Sequence, residues 1–144
     1  MADRIAQVMT TQAEAINANA VSRLAGRGEF AGDRRQLESS LARLTDALVE
    51  ATRTDRPELL TEVALTLGRD DSDPFRGYGR VQLLLDVLCS ESVEALRRAV
   101  TGPEGKEASA RLRGMMGPAM LGLAALGRQT TQANSPESGS APTC

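Results

Sequence analysis

Residues 73–100, DPFRGYGRVQLLLDVLCSESVEALRRAV, decide the fold of this chain. Asp73 and Pro74 form a helix-start signal, because aspartate can accept hydrogen bonds from the first backbone N–H groups and proline suits the first helical position. Apolar residues then fall on nearly every side of the helix that follows, most densely between Val81 and Leu88. A helix that is apolar all round must be covered by others, so this stretch predicts a central helix.

The glycines on either side of Tyr78 give a second expectation about this stretch. In RGYGR, Gly77 and Gly79 lie within the first turns, and glycine weakens the interior of a helix. We therefore expect a short helix from Asp73, a hinge at the glycines and a long helix from about Arg80. These glycines do not form a nucleotide-binding loop, because the P-loop spacing with its Lys-Ser/Thr end is missing and no strand precedes them.

Helical periodicity predicts four further helices. Apolar residues three or four apart mark a first helix over 3–25, and leucines at 37, 41, 44 and 48 form one face of a second. Pro57 begins a third helix, and a Thr-Gly-Pro-Glu start signal at 101–104 begins a fifth that runs to about Gln129. No strand pattern is found, so the predicted fold class is all-α.

The fifth predicted helix has two different flanks. Small residues lie four apart at Gly114, Pro118 and Gly122, where another backbone could come close, and Pro118 should kink the helix near Gly114. The methionines of the apolar face fit either a plain flexible core or an adaptable cavity. That apolar face consists of Leu112, Met115, Met116, Ala119, Leu123 and Leu126.

Composition and charge exclude several classes of protein. The 144 residues fit one domain, and a net charge of −2 with interleaved signs argues against binding to a nucleic-acid backbone. No run reaches the roughly 18 apolar residues of a membrane span, and the N-terminus lacks the apolar core of a secretory signal. Cys89 and Cys144 do not make a disulfide framework. We expect a cytoplasmic protein with no nucleic-acid or membrane partner.

The chain contains no histidine, which excludes further chemistry. Ser-His-Asp and Cys-His nucleophile systems, the common zinc sites and His-ligated haem all need that side chain. The acidic loop RDDSD at 69–73 lacks the spacing of an EF-hand, so helix capping and solvation are favoured over calcium. We expect no cofactor, no metal and no catalytic residue.

The last fifteen residues differ from the rest of the chain. Residues 130–144, TTQANSPESGSAPTC, are rich in Ser, Thr, Pro and Gly and cannot form a core. The predicted organisation is therefore a helical domain over 1–129 and a disordered tail over 130–144, with Cys144 as a free thiol.

Residues 1–128 resemble the N-terminal sensor domain of the RsbR family of stressosome proteins. The stretch LESSLARLTDALVEATRTDRPELLTEVALTLGR at 37–69 looks like that family's leucine-rich helix, polar turn and third helix. The stretch GYGRVQLLLDVLCSESVEALRRAV at 77–100 looks like its glycine-led helix that ends in a Leu-Arg pair. The absence of histidine agrees with the haem-free members.

The resemblance implies a haem-free, globin-like fold of about five to six helices and a dimeric sensory role. In that family a helix joins the sensor to a STAS domain, which is phosphorylated and scaffolds a kinase. This chain departs there, because the predicted tail follows helix five and no STAS segment does. It is then either an excised sensor domain or a free-standing relative that signals through contacts.

The sequence favours two functional hypotheses. The first is a non-enzymatic sensor of a bacterial stress response, a homodimer that contacts a protein partner through small helix shifts. The alanine-rich first helix and the small-residue flank of helix five are its candidate interfaces. The second is an adaptor or structural bundle that binds a protein partner without a small-molecule ligand. A ligand pocket for the sensor would lie at Phe75, Tyr78, Leu84, Leu88, Met115, Met116 and Met120.

Two further functions receive less support from the residues. An enzyme could use the carboxylates of Asp70, Asp71 and Asp73 with Arg76, although capping and solvation explain these residues. A haem could be ligated by Cys89, Tyr78 or a methionine, but Cys89 lies in an apolar run and is better explained as a buried, unreactive thiol.

Overall fold

The computed structural model describes the backbone of residues 1–30, 34–70 and 74–134, and the side chains of these residues except those at 29, 74–76 and 128–134. Within those ranges the chain forms five α-helices, one 3-10 turn and no strand, which confirms the all-α fold class. The helices are α1 (Ala2–Leu24), α2 (Arg34–Thr54), α3 (Glu58–Arg69), α4 (Pro74–Ala99) and α5 (Pro103–Asn134), with the 3-10 turn at Gly28–Phe30.

The central helix of the fold is α4, as predicted. It packs along α5, α1 and α3 and touches α2 over a shorter stretch. Leu85, Leu88 and Leu96 of this helix have no exposed surface. Because neighbours cover α4 on several sides, it can bury apolar residues on several faces at once.

The predicted hinge at Gly77 and Gly79 was wrong, since α4 runs through both glycines without interruption. The physical reason is packing against α3. Gly68 of α3 lies so close to Tyr78 that a β-carbon at position 68 would overlap the tyrosine ring. Burial of Gly77 and Tyr78 outweighs the cost of about 1 kcal/mol that glycine carries inside a helix.

The first two helices pack against each other, and α1 also packs along α4. The Thr45 hydroxyl, which is 1% exposed, donates a hydrogen bond of 2.6 Å to Asn17 Oδ1 and joins α2 to α1. An ion pair of 2.9 Å between Arg23 and Glu91 joins α1 to α4. The predicted row of leucines on α2 is confirmed as core, because Leu37, Leu41, Leu44 and Leu48 are at most 3% exposed.

The turn between α2 and α3 is short, because α2 continues to Thr54 and α3 begins at Glu58. Asp55 takes a φ of 56°, in the left-handed region. At the start of α3, a hydrogen bond from its own backbone and then the Arg56 guanidinium lower the pKa of the Glu58 carboxyl. A negative charge is favoured at that end of a helix by the helix dipole.

The connection between α4 and α5 is short because two glycines allow the chain to approach itself closely. Gly102 has a φ of 73°, a conformation that favours glycine. Gly105 lies against the backbone carbonyl oxygen of Val100 and leaves no room for a β-carbon. Beside this connection, the Glu104 carboxylate pairs with Arg4 of α1 at 2.9 Å.

The last helix, α5, is longer than predicted. It continues through Pro118 and reaches Asn134, about five residues beyond the predicted end at Gln129. Two predictions lie outside the described residues: the acidic residues at 71–73, with the helix start at Asp73, and the tail from 135 to 144.

Candidate functional site

Most residues of the predicted ligand pocket lie together in one hydrophobic core. Met120 is partly buried against that core, and the side chain of Phe75 lies outside the described part of the chain. Close packing rather than open space surrounds the buried members. The buried members are Tyr78, Leu84, Leu88, Met115 and Met116, each at most 8% exposed.

A cavity beside this core involves one of the predicted residues. It measures about 30 Å³ and lies between Phe30, Leu84 and neighbouring side chains of α2, α3 and α4. The Arg80 guanidinium stands 5.1 Å from the centroid of the Phe30 ring at its edge. Because a water molecule needs about 10–15 Å³ of such space, the cavity admits water and not an organic ligand.

A larger groove of about 270 Å³ lies between α1 and α2. Its charged members, Arg34 and Glu38, pair with each other at 3.2 Å, so their charges largely cancel. The remaining lining residues are Asn17, Ala18, Val21 and Ser22.

The groove at the connection between α4 and α5 has a different character. It measures about 380 Å³, and we call it the basic groove. It contains three cationic side chains and no acidic one, and the buried Ser109 hydroxyl that lines it has no hydrogen-bond partner. The lining residues are Arg97, Val100, Thr101, Gly102, Gly105, Lys106, Ser109 and Arg113.

The outer side of α5 forms a second surface feature. Gly114, Gly117, Pro118 and Leu121 recur on one side of this helix, and we call them the small-residue face. Leu121 is 74% exposed, and open space surrounds the two glycines. The predicted flank of Gly114, Pro118 and Gly122 is divided, because Gly122 instead lies 3.7 Å from Leu65 of α3, measured from an added β-carbon.

Cys89 lies beside the basic groove and is half-buried. Burial raises the pKa of its thiol, and Arg113 opposes that rise in part while Asp86 adds to it. Because the thiolate is the reactive form, a raised pKa keeps Cys89 unreactive at neutral pH.

The predicted enzyme site falls mostly outside the residues with described side chains. Asp70 is exposed at the end of α3, and the side chains of Asp71, Asp73 and Arg76 lie outside the description. Tyr78 is 8% exposed, and its ring lies against Gly68. In the ranges with described side chains, no three Cys, Asp or Glu residues are grouped so as to hold a metal ion.

The wider comparisons add no identification. Across the described helices, none combines the length and the apolar character needed to cross a membrane. Protein-family models, curated proteins and solved structures give no match to this chain.

The basic groove is the feature that the sequence analysis missed. Arg97 belongs to α4, whereas Lys106 and Arg113 lie two turns apart on α5. The sequence does contain an indication of the groove, because the glycine-containing turn at 101–105 folds α5 back along α4. The basic residues are scattered along the sequence, and only the hairpin of α4 and α5 places Arg97, Lys106 and Arg113 around one groove.

Proposed function

We propose that this chain is a non-enzymatic signalling module of a bacterial stress response. It is a haem-free, globin-like helical domain that works in the cytoplasm through a second copy of itself and a protein partner. The resemblance to RsbR sensor domains supports the proposal. The single structural observation that carries it is the exposure of Leu121 at the small-residue face of α5.

The small-residue face suits contact with a second helix. Among the large apolar side chains that the structure describes, only Met1 and Leu121 are exposed, at 38% and 74%. The open space at Gly114 and Gly117 lets a partner backbone approach the backbone of α5. In a two-fold dimer the same patch occurs on both copies, so each Leu121 would cover the glycines of the other.

This face is connected to the rest of the fold through the opposite side of α5. There Met115 and Met116 pack in the core, and α5 makes its most extensive contact with α4. Methionine side chains are flexible and adapt to small displacements. A shift of α5 by about 1–2 Å at the dimer interface, a common size for interface helices, could therefore reach the central helix.

Replacement of Leu121 tests the dimer directly. We expect the wild type to be a dimer at tens of micromolar in analytical ultracentrifugation, and Leu121→Glu to be a monomer with the same helical content. Ala42→Glu, at an exposed position of α2, is the matched control and should remain a dimer. A wild type that stays monomeric at every concentration would contradict the proposal, as would a Leu121→Glu variant that still dimerises.

The adaptor that binds a protein without a ligand is the second candidate. It is favoured by the packing of the predicted pocket, because Leu88 has no exposed surface and Met116 only 2%. Native mass spectrometry of the purified protein separates the two candidates. A retained small molecule supports the ligand-gated sensor, and a bare dimer supports signalling through protein contacts alone.

A further inference from the structure

The basic groove concentrates positive charge on a chain whose net charge is −2. None of the ion pairs described for this chain involves Arg97, Lys106 or Arg113. Glu104, in the first turn of α5, is paired with Arg4 of α1 at 2.9 Å, and none of the ion pairs described involves Glu94 or Glu107, which lie near Arg97 and Lys106 along the chain. The lining of the groove therefore carries a local excess of positive charge that suits an anion.

A buried hydroxyl in the same groove points independently to a ligand. Ser109 is 3% exposed and lines the groove, yet its Oγ has no hydrogen-bond partner. Leaving a buried hydroxyl unpaired costs stability, so such groups in native proteins usually have a partner. The Oγ atom is itself buried, so a ligand oxygen in the groove would supply that partner once the Ser109 side chain turns toward the groove, with the hydroxyl as donor.

The start of α5 contributes a third favourable feature. Gly102 and Gly105 line the groove just before and within the first turn of this helix of 32 residues. Because neither glycine has a side chain, the backbone itself forms that part of the wall. The dipole of a helix favours negative charge at this end, although Pro103 has no N–H and the N–H groups of Gly105 and Lys106 already bond to the Gly102 carbonyl.

From these three features we propose that the basic groove binds a small anion of the phosphate type. Arg97, Lys106 and Arg113 would surround the phosphate oxygens, and the Ser109 hydroxyl would donate a hydrogen bond to one of them. A volume of about 380 Å³ falls within the range of small-molecule sites. The lining contains no aromatic side chain on which a base could stack, which favours a simple phosphate over a nucleic acid.

The proposal goes beyond the proposed function and does not depend on it. The groove lies at the first turns of α5, whereas the small-residue face begins at Gly114 and continues to Leu121. An intact anion site in a monomeric protein would leave this inference standing, and a dimer without anion binding would leave the proposed function standing.

Titration calorimetry with the full chain tests the charges. The probes are inorganic phosphate and glycerol 3-phosphate, with chloride at matched ionic strength as the reference. We expect saturable binding of phosphate or its ester, and Arg97→Gln or Arg113→Gln should weaken it about tenfold, the size expected for one charged hydrogen bond. Arg98→Gln, in the same last turn of α4 but outside the groove, is the matched control and should bind as the wild type does.

A pair of serine variants tests the buried hydroxyl. Ser92 and Ser109 both carry a buried, unpartnered hydroxyl, but only Ser109 lines the groove. We expect phosphate to raise the melting temperature of the wild type and of Ser92→Ala by a few degrees. Without phosphate, the melting temperature of Ser109→Ala should equal or exceed that of the wild type, because the unpaired hydroxyl is removed. With phosphate, this variant should lose most of the rise.

The outcomes are separable. Tighter binding of glycerol 3-phosphate than of phosphate supports an organic phosphate as the ligand, and the reverse order supports the free anion. The proposal would be overturned if phosphate gave the same binding heat and the same change in melting temperature as chloride. Equal weakening by Arg98→Gln and Arg97→Gln, or equal loss in the two serine variants, would also overturn it, since the effect would then be general charge or general stability.

Discussion

Gly68 has no side chain in a place where Tyr78 leaves no room for one. A β-carbon at position 68 would overlap Cδ1 of the tyrosine ring and come within 3.0 Å of Cε1. At Gly79, by contrast, an added β-carbon would meet nothing within 4 Å. Glycine therefore has a different role at each of the two positions. Packing requires it at position 68, whereas at position 79 it only lowers the stability of the helix.

Alanine at these two positions is expected to have opposite effects. Gly68→Ala should lower the free energy of unfolding by about 1–3 kcal/mol, because the Tyr78 ring must move. Gly79→Ala should raise it by about 0.5–1 kcal/mol, because alanine restricts the unfolded chain and fits the helix. Urea unfolding followed by circular dichroism measures both. A neutral Gly68→Ala variant would show that Tyr78 does not pack on α3 in this way.

Among the elements, the hairpin of α4 and α5 determines most of what the surface presents. These two helices make the most extensive contact in the fold. Their connection brings Arg97 of α4 to the same groove as Lys106 and Arg113 of α5. The close approach of Gly105 to the Val100 carbonyl holds the start of α5 against the end of α4.

A side chain at position 105 should disturb this hairpin. Gly105→Ala places a β-carbon against the backbone of Val100, which cannot rotate away as a side chain would, so we expect a loss of more than about 1 kcal/mol in unfolding free energy. Gly127→Ala, on the same helix at a position where an added β-carbon would meet nothing within 4 Å, should be neutral or stabilising. Thermal unfolding of the two variants measures the difference. Equal stability of both would mean that the α4–α5 connection is looser than described.

For the whole molecule, the absence of histidine affects how stability depends on pH. Histidine is the side chain that ordinarily changes charge between pH 5 and 8. Among the described residues, the two shifted pKa values lie on either side of that interval. Burial raises the pKa of the Cys89 thiol above 9.0, and hydrogen bonds lower that of the Glu58 carboxyl below 4.5.

These two shifts predict a stability plateau around neutral pH. The folded state disfavours the Cys89 thiolate, so its contribution is complete below pH 9.0 and is lost as the pH rises through the raised pKa. The folded state favours the Glu58 carboxylate, so its contribution is present above pH 4.5 and is lost as the pH falls through the lowered pKa. Melting temperatures from pH 3 to 10.5 should therefore be flat in the middle and fall at both ends.

Replacement of the thiol isolates the alkaline part of this prediction. In a Cys144→Ser background, the melting temperature of Cys89→Ala should fall less steeply above pH 9 than that of the protein with Cys89. Parallel curves for the two proteins would show that Cys89 does not titrate with a raised pKa.

The sequence alone determined the helical architecture of this protein. The leucines at 37, 41, 44 and 48 and the all-round apolar run of α4 predicted the core correctly, because burial of a periodic apolar face needs only local spacing. Apolar density along the chain grouped Tyr78, Leu84, Leu88, Met115 and Met116 as a possible ligand pocket, and the structure finds these residues together but packed in the core.

Only the tertiary structure decided the path of α4 and the position of the surface charges. Local propensity predicted a hinge at Gly77 and Gly79, but α4 is continuous through them, and Tyr78 packs on Gly68. That contact joins residues ten positions apart on different helices. The basic groove likewise depends on the hairpin, which gathers Arg97 and Arg113 from two helices. Spacing along a chain sets periodicity within one helix, whereas contacts between helices depend on how they fold against each other.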